Sequence, residues 1–275
     1  MTSLNPKMEA ALQARLRYYR DLGIYNLYRR GEPDPQQFEI TAAATTNHEP
    51  EPAIPARKTT STSLFSEPSS AVIPSDERTT ALEAIRADIG DCTRCPLAFQ
   101  GRHKIVFADG DPAARLMFVG EGPGADEDAQ GLPFVGRAGQ LLNNMINAMG
   151  LKREQVYIAN VVKCRPPQNR TPEPAEANTC MQFLWRQIDV VHPEIIVALG
   201  ATAATYLLGS KSSLASLRSR IHQVRESRLI VTYHPAYLLR DPRQKAEAWK
   251  DLQIAMKELG LKTSKASNPA SPSNS

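Results

Sequence analysis

Cys92 and Cys95 form a C-x2-C pair, and Cys164 and Cys180 follow with 68 and 15 residues between successive members. Such a pair aims two sulfurs at one point. Two further thiolates arriving from other loops would close a four-sulfur site for zinc or for an iron–sulfur cluster. Spacing does not choose between those metals, nor between either of them and an incidental pair beside two reduced, buried cysteines. Pro96, and Pro166-Pro167 after Cys164, favour shaped loops over helix interior. A metal here would fasten the beginning of the domain to its middle.

A second group of residues suits a small polar ligand. Gly120-Glu-Gly-Pro-Gly-Ala-Asp-Glu-Asp128 is a loop in which glycine lets backbone N–H groups approach closely. It lacks the Gly-Lys-Ser/Thr of a nucleotide P-loop and the G-x-G-x-x-G of a dinucleotide site, and its carboxylates would repel phosphate. A neutral ligand or a bound water fits better. Phe134 stands between glycines and prolines in Gly131-Leu-Pro-Phe-Val-Gly-Arg137, and Asn160 offers an amide that both donates and accepts. Finally, Tyr233-His-Pro-Ala-Tyr-Leu-Leu-Arg240 places His234 before a prolyl turn that bears two leucines and a cation, an arrangement suited to a wedge and a phosphate contact. Lys211, Arg218, Arg220, Arg225 and Arg228, with Lys163, Arg165 and Arg170, could add to a phosphate-binding face.

The elements that must position these side chains alternate helix and strand: helix 78–89, strand 115–120, helix 137–149, strand 156–160, helix 173–191, strand 194–199, helix 201–208, strand 229–233 and helix 242–259. This is the pattern of a parallel β/α domain over residues 77–262. Its ligands belong at the carboxyl ends of the strands, where the loops 120–136, 160–170 and 234–240 converge.

At 275 residues, 41% hydrophobic and 23% charged, the chain is globular in composition. Residues 1–30 read as an amphipathic helix, with Met8, Leu12, Leu16, Tyr19 and Leu22 at steps of three and four. Residues 31–76 hold 7 of the 21 prolines and 12 Ser or Thr, so they read as a disordered linker, as does the tail 263–275. No apolar run approaches the roughly 20 residues that cross a bilayer, and the first residues lack the apolar centre of a signal peptide, so a cytoplasmic location is expected. The formal net charge is +4; residues 91–262 hold 22 of the 33 basic and 17 of the 29 acidic residues, which concentrates positive charge in the β/α part and permits a polyanionic partner.

Gly120-Glu-Gly-Pro-Gly, Pro133-Phe-Val-Gly-Arg-Ala-Gly139, Asn160-Val-Val-Lys-Cys-Arg-Pro166, His234-Pro-Ala-Tyr-Leu-Leu-Arg240 and the four cysteines occur together and in order. The set closely resembles the family 4, iron–sulfur uracil-DNA glycosylases over about residues 80–260. The resemblance implies a three-layer α/β/α sandwich with a central, mainly parallel four-stranded sheet. It implies a [4Fe–4S] cluster on Cys92, Cys95, Cys164 and Cys180, and DNA containing uracil as the partner of a monomer. A base inside a duplex is unreachable, so uracil would be rotated out. Leu238 would fill the vacated stack and Arg240 would hold the backbone. The first loop, Gly120, Glu121 and Gly122, would contact the base; Phe134 would stack on it and Asn160 would pair with its O4 and N3 edge. His234 would stabilise the departing anion near O2, and Glu121 and Glu127 would orient water or favour the cationic sugar. In family 1 enzymes an aspartate that positions the water occupies the place of Gly122, so that role does not carry over. Glu127 or its neighbours would crowd the C5 side and refuse thymine. Two other readings of the same residues are a non-catalytic iron–sulfur DNA-binding module and a glycosylase for another deaminated base such as hypoxanthine. Ser61-Thr-Ser-Leu-Phe65, without the usual glutamine, loosely resembles the peptides that dock on the bacterial sliding clamp.

Overall fold

The computed structural model describes residues 73–261; the expected amphipathic helix, most of the linker, the clamp-like peptide and the tail lie outside them. Helix α1 (Ser75–Ile89) leads in, so the last two residues assigned to the linker are already helical. The strands are β1 (Asp109–Gly110), β2 (Leu116–Gly120), β3 (Tyr157–Asn160), β4 (Ile195–Leu199), β5 (Ile221–Val224) and β6 (Ser227–Thr232). Between them run α2 (Ala125–Gln130), α3 (Arg137–Ala148), α4 (Pro174–Val191), α5 (Ala201–Leu208) and α6 (Leu214–Leu217). The final helices are α7 (Pro235–Arg240) and α8 (Lys245–Glu258).

The sheet has six strands in the order β1-β3-β2-β4-β6-β5, not four. The expected four are its parallel centre, and β1 and β5 are added antiparallel at the two edges. Neither edge strand carries a readable pattern: β1 is two residues long, and β5 is mostly exposed among charged neighbours. Each is created by its pairing partner. β5 and β6 join through a tight turn in which Arg225 takes a φ of 51°.

β2 and β4 are buried on both faces, so they read as unbroken apolar runs, yet their side chains still alternate. Met117, Val119, Ile196 and Ala198 face a core completed by α1, α4 and α5. Leu116, Phe118, Ile195, Val197 and Leu199 face a second core completed by α3 and α8. These cores separate the three layers of the α/β/α sandwich. β2 has a sequence-later strand on each side, which makes its carboxyl end the topological switch point, the place where loops diverge and leave a crevice. The parallel register sets Gly120 beside Asn160 at that crevice. Among the described residues no helix is long and apolar enough to cross a membrane.

Candidate active site

A cleft of about 580 Å³ opens at the switch point, lined by Glu121, Phe134, Asn160, Arg170, His234 and Arg240 among others. The three loops singled out by the strand pattern meet there. Asn160 is 2% exposed, and its Oδ1 is buried without a hydrogen-bond partner. An orphaned buried acceptor costs on the order of 1–3 kcal/mol, and one that faces a cleft is poised for a ligand donor. Gly120 is what leaves Asn160 and Phe134 their room. A Cβ there would stand 2.6 Å from Phe134 Cζ and would collide with Asn160 Oδ1. Gly122 is packed as closely, its would-be Cβ 2.7 Å from Val162 Cγ2, so this place has no space for an aspartate unless the buried Val162 moves.

Phe134 adopts a φ of 52°, a region that non-glycine residues seldom occupy. Its ring centroid lies 5.6 Å from that of His234, tilted by 34°. The Ala236 backbone N–H donates to His234 Nδ1 at 3.1 Å, which leaves the proton of the neutral ring on Nε2. Partly buried by area and closely surrounded, the ring is held near a pKa of about 4, chiefly by burial and further by the Arg240 charge; Glu127 acts in the opposite direction. At neutral pH the imidazole is therefore an uncharged N–H donor. Gly200, just beyond β4 with φ +94°, lets it approach, since a Cβ there would lie 3.1 Å from His234 Cβ.

The two glutamates divide. Glu121 lines the cleft and accepts a hydrogen bond from Thr202 Oγ1. Glu127 has both oxygens occupied: Oε1 accepts from the N–H groups of Val135 (2.9 Å) and Gly136 (3.0 Å), and Oε2 from that of Gly124 (3.0 Å). It braces the segment beside Phe134, and with a single donor on Oε2 it also lines the cleft.

The prolyl turn that carries the expected wedge is a short helix. Successive side chains on a helix diverge by about 100°, so the two leucines part company: Leu238 is 1% exposed, beside Met145 and Trp249, whereas Leu239 is 37% exposed. Arg240 is exposed at the cleft. Most of the expected phosphate-binding cations are engaged within the protein. Arg218 pairs with the buried Asp251 at 2.7 Å, Arg225 with Asp189, Arg228 with Glu258, and Arg170 with Glu176. Lys163 is buried, donating from Nζ to Asn160 O at 2.9 Å and to Gln187 Oε1 at 2.6 Å.

All four cysteines line one small cavity on the α1/α4 side of the sheet. Three N–H groups reach their sulfurs: Arg102 Nη1 to Cys164 (3.3 Å), the Lys163 backbone to Cys180 (3.3 Å) and Arg94 Nη1 to Cys92 (3.6 Å). Burial pushes the Cys180 thiol up to about 12 and raises those of Cys164 and Cys95, so thiolates at this depth need positive charge among them. Among the described residues no three His, Cys, Asp or Glu side chains gather as the ligands of a metal ion do. Four sulfurs lining one cavity are a donor set of the kind that holds zinc or an iron–sulfur cluster.

The sequence pointed to the cleft residues but missed Gly200, Thr202 and Arg153, whose guanidinium holds the Pro133 and Phe134 carbonyls. For Gly200 a signal exists, since it ends an apolar strand as Gly120 does. Thr202 and Arg153 act across 81 and about 20 residues of chain and leave no local trace.

Fold and cleft together define an α/β protein whose strand-end loops enclose a cleft lined by an aromatic ring, a buried amide and an uncharged imidazole. The profile of the uracil DNA glycosylase superfamily matches residues 107–253, and the chain belongs to that superfamily. It is 47% identical to the type-4 uracil-DNA glycosylase of Thermotoga maritima over 162 residues, 58% of this chain and 84% of that protein. To the type-4 enzyme of Sulfurisphaera tokodaii it is 42% identical over 190 residues, 66% of this chain and 86% of the relative. To that of Pyrobaculum aerophilum it is 41% identical over 181 residues, 63% and 92%.

Proposed function

We propose that the protein is a uracil-DNA glycosylase of DNA repair, which draws uracil out of DNA and hydrolyses its N-glycosidic bond to leave an abasic site. The observation that carries this reading is the orphaned Asn160 Oδ1 in a cleft that it shares with Phe134 and a neutral His234. Uracil presents an N3–H donor beside an O4 acceptor. Asn160 answers with Oδ1 and Nδ2, while cytosine, with an acceptor at N3 and a donor at N4, meets like with like.

Phe134 stacks on the extruded ring. As the C1′–N1 bond breaks, its electron pair leaves with the base, and His234 Nε2–H donates to the oxygen that gains negative charge. Donors of this kind are worth on the order of 100-fold in rate or more. Glu121, held by Thr202, is assigned to the side of the forming sugar cation, where it would orient the water whose hydroxyl joins C1′ while its proton ends on the departing uracil anion. Glu127 supports the segment 134–136, and that loop is assigned to the C5 side, where thymine's methyl must be refused. Gly120 and Gly122 give the base its close approach. Leu239, in place of Leu238, fills the vacated stack, and Arg240 contacts a phosphate.

Cys92, Cys95, Cys164 and Cys180 would hold a [4Fe–4S] cluster, and their cavity and sulfur-directed N–H donors support that assignment. When bound, the cluster supplies cross-linking and no chemistry to the base. The same reading makes the protein a cytoplasmic monomer. Separately, we propose a sliding-clamp contact through Ser61–Phe65, which a peptide of residues 57–70 failing to bind at high micromolar concentration would remove.

The test is a uracil-bearing strand incubated with wild type, His234→Ala and Asn160→Ala, followed by alkali cleavage at abasic sites. Wild type is expected to cut, and each variant to cut about 100-fold more slowly or worse. Bound but intact DNA would instead establish a non-catalytic module, and faster release from a hypoxanthine strand would reassign the substrate.

A further inference from the structure

The segment Pro133–Gly136 must present Phe134 in a left-handed conformation that is strained for a residue other than glycine and persists only where its surroundings over-determine it. From one side, Glu127 accepts the Val135 and Gly136 N–H groups. From the other comes Arg153, which lies outside the cleft in the turn Arg153–Gln155 before β3. Its Nη2 donates to Pro133 O at 2.6 Å, and its Nη1 donates to Phe134 O at 3.1 Å and to Asn143 Oδ1 at 2.9 Å. Its Nε donates to Asp109 Oδ2 at 2.8 Å, so the edge strand β1 aims the guanidinium. Gly139 is packed against the Phe134 carbonyl so closely that a Cβ there would collide with it, which keeps that oxygen within the arginine's reach.

We propose that Arg153, aimed by Asp109, is a positioning residue for base recognition: it locks the backbone of Phe134 so that the ring is already set as a stacking platform before uracil arrives. The planar fork suits two adjacent carbonyls, which a lysine's point charge reaches only one at a time. The proposal rests on the reading of the cleft as a uracil site, with Phe134 as its platform.

The experiment compares wild type, Arg153→Gln, Arg153→Lys and, as a control for loss of an exposed ion pair elsewhere, Arg115→Gln. Three quantities are measured: the single-turnover rate of uracil release, the affinity for a strand carrying a stable abasic analogue, and amide exchange at Val135 and Gly136. A misplacement of about 1 Å costs up to 100-fold in a positioned reaction, so Arg153→Gln is expected to lose about 30-fold in rate. Its abasic-strand affinity should stay within about twofold, because no base is present there to stack. Exchange at the two amides should quicken by about fivefold or more, Arg153→Lys should recover part of the rate, and Arg115→Gln should change nothing. A rate in Arg153→Gln within twofold of wild type overturns the proposal. So does a parallel loss of rate and abasic affinity with no recovery in the lysine variant, which is the mark of general disruption. If wild type itself releases no uracil, the functional reading falls; the exchange data still decide whether Arg153 locks the Phe134 backbone, unchanged exchange in Arg153→Gln refuting it.

Discussion

Replacing Gly120 by alanine should close the base slot while leaving the fold intact. Gly120 is extended at the end of β2 with no positive φ, so alanine meets no backbone penalty. The added methyl would stand 2.6 Å from Phe134 Cζ and 2.8 Å from Cε2, and would collide with Asn160 Oδ1. Ordinary carbon contacts lie at about 3.5–4.0 Å, so the ring, the amide or both must retreat by about 1 Å. These are the two groups that would stack on and pair with the base. A displacement of that size costs up to about 100-fold in rate, or about 2.7 kcal/mol of transition-state stabilisation. The assay is single-turnover uracil release, with thermal unfolding measured alongside and the same substitution repeated in a Phe134→Ala background. With the ring gone, the methyl has one obstacle fewer, and the additional cost of Gly120→Ala should shrink to about 10-fold. A folded Gly120→Ala protein that releases uracil within threefold of wild type would refute the reasoning, and so would an undiminished cost in the Phe134→Ala background.

Because burial holds His234 near a pKa of about 4, well below its ordinary value, uracil release should show no His234 step near pH 6.5 and should lose this donor's neutral form only as the pH falls toward about 4. The same depression means that between about pH 6.5 and 4 the unfolded chain binds a proton the folded one refuses; this group therefore lowers stability as pH falls through that window, and the slope should vanish in His234→Ala, as read by denaturant titrations. Leu238→Ala should destabilise by about 2–4 kcal/mol in urea unfolding, since the side chain is buried. Leu239→Ala should leave stability within about 0.5 kcal/mol and slow excision from duplex more than from single strands; equal loss on both would remove the wedge assignment. Purified protein should be brown and rich in iron, and Cys180→Ser should lose colour and unfold at lower temperature; colourless protein with stoichiometric zinc would refute the cluster.

How much of this was legible beforehand can be seen element by element. β4, five apolar residues ending in Gly200, could be read because burial on both faces demands such a run. α4 could be read from its length and its entry through Pro174. The strand-end loops followed from the alternation, and with them Glu121, Phe134, Asn160 and His234. β1 and β5 could not be read, because two residues in one case and a mostly exposed stretch in the other become strands only beside β3 and β6. The burial of the leucine pair could not be read for a related reason: the order Leu238-Leu239 says nothing of which one a short helix turns inward.

Sequence alone determined the β/α architecture, the family and the identities of the side chains that meet at the cleft, since periodicity, strand-end glycines and ordered motifs are written in local order. Only the tertiary structure decided how those side chains are employed. It filled Glu127 with three backbone donors, left Asn160 Oδ1 unpaired, drew Arg218, Arg225 and Arg228 into ion pairs, and set Arg153 behind Phe134. The physical reason is that a polar group's chemistry depends on which partners satisfy it; for the three arginines they stand 30 to 36 residues away in the chain, and even Glu127's nearby donors are aimed at it only by the fold.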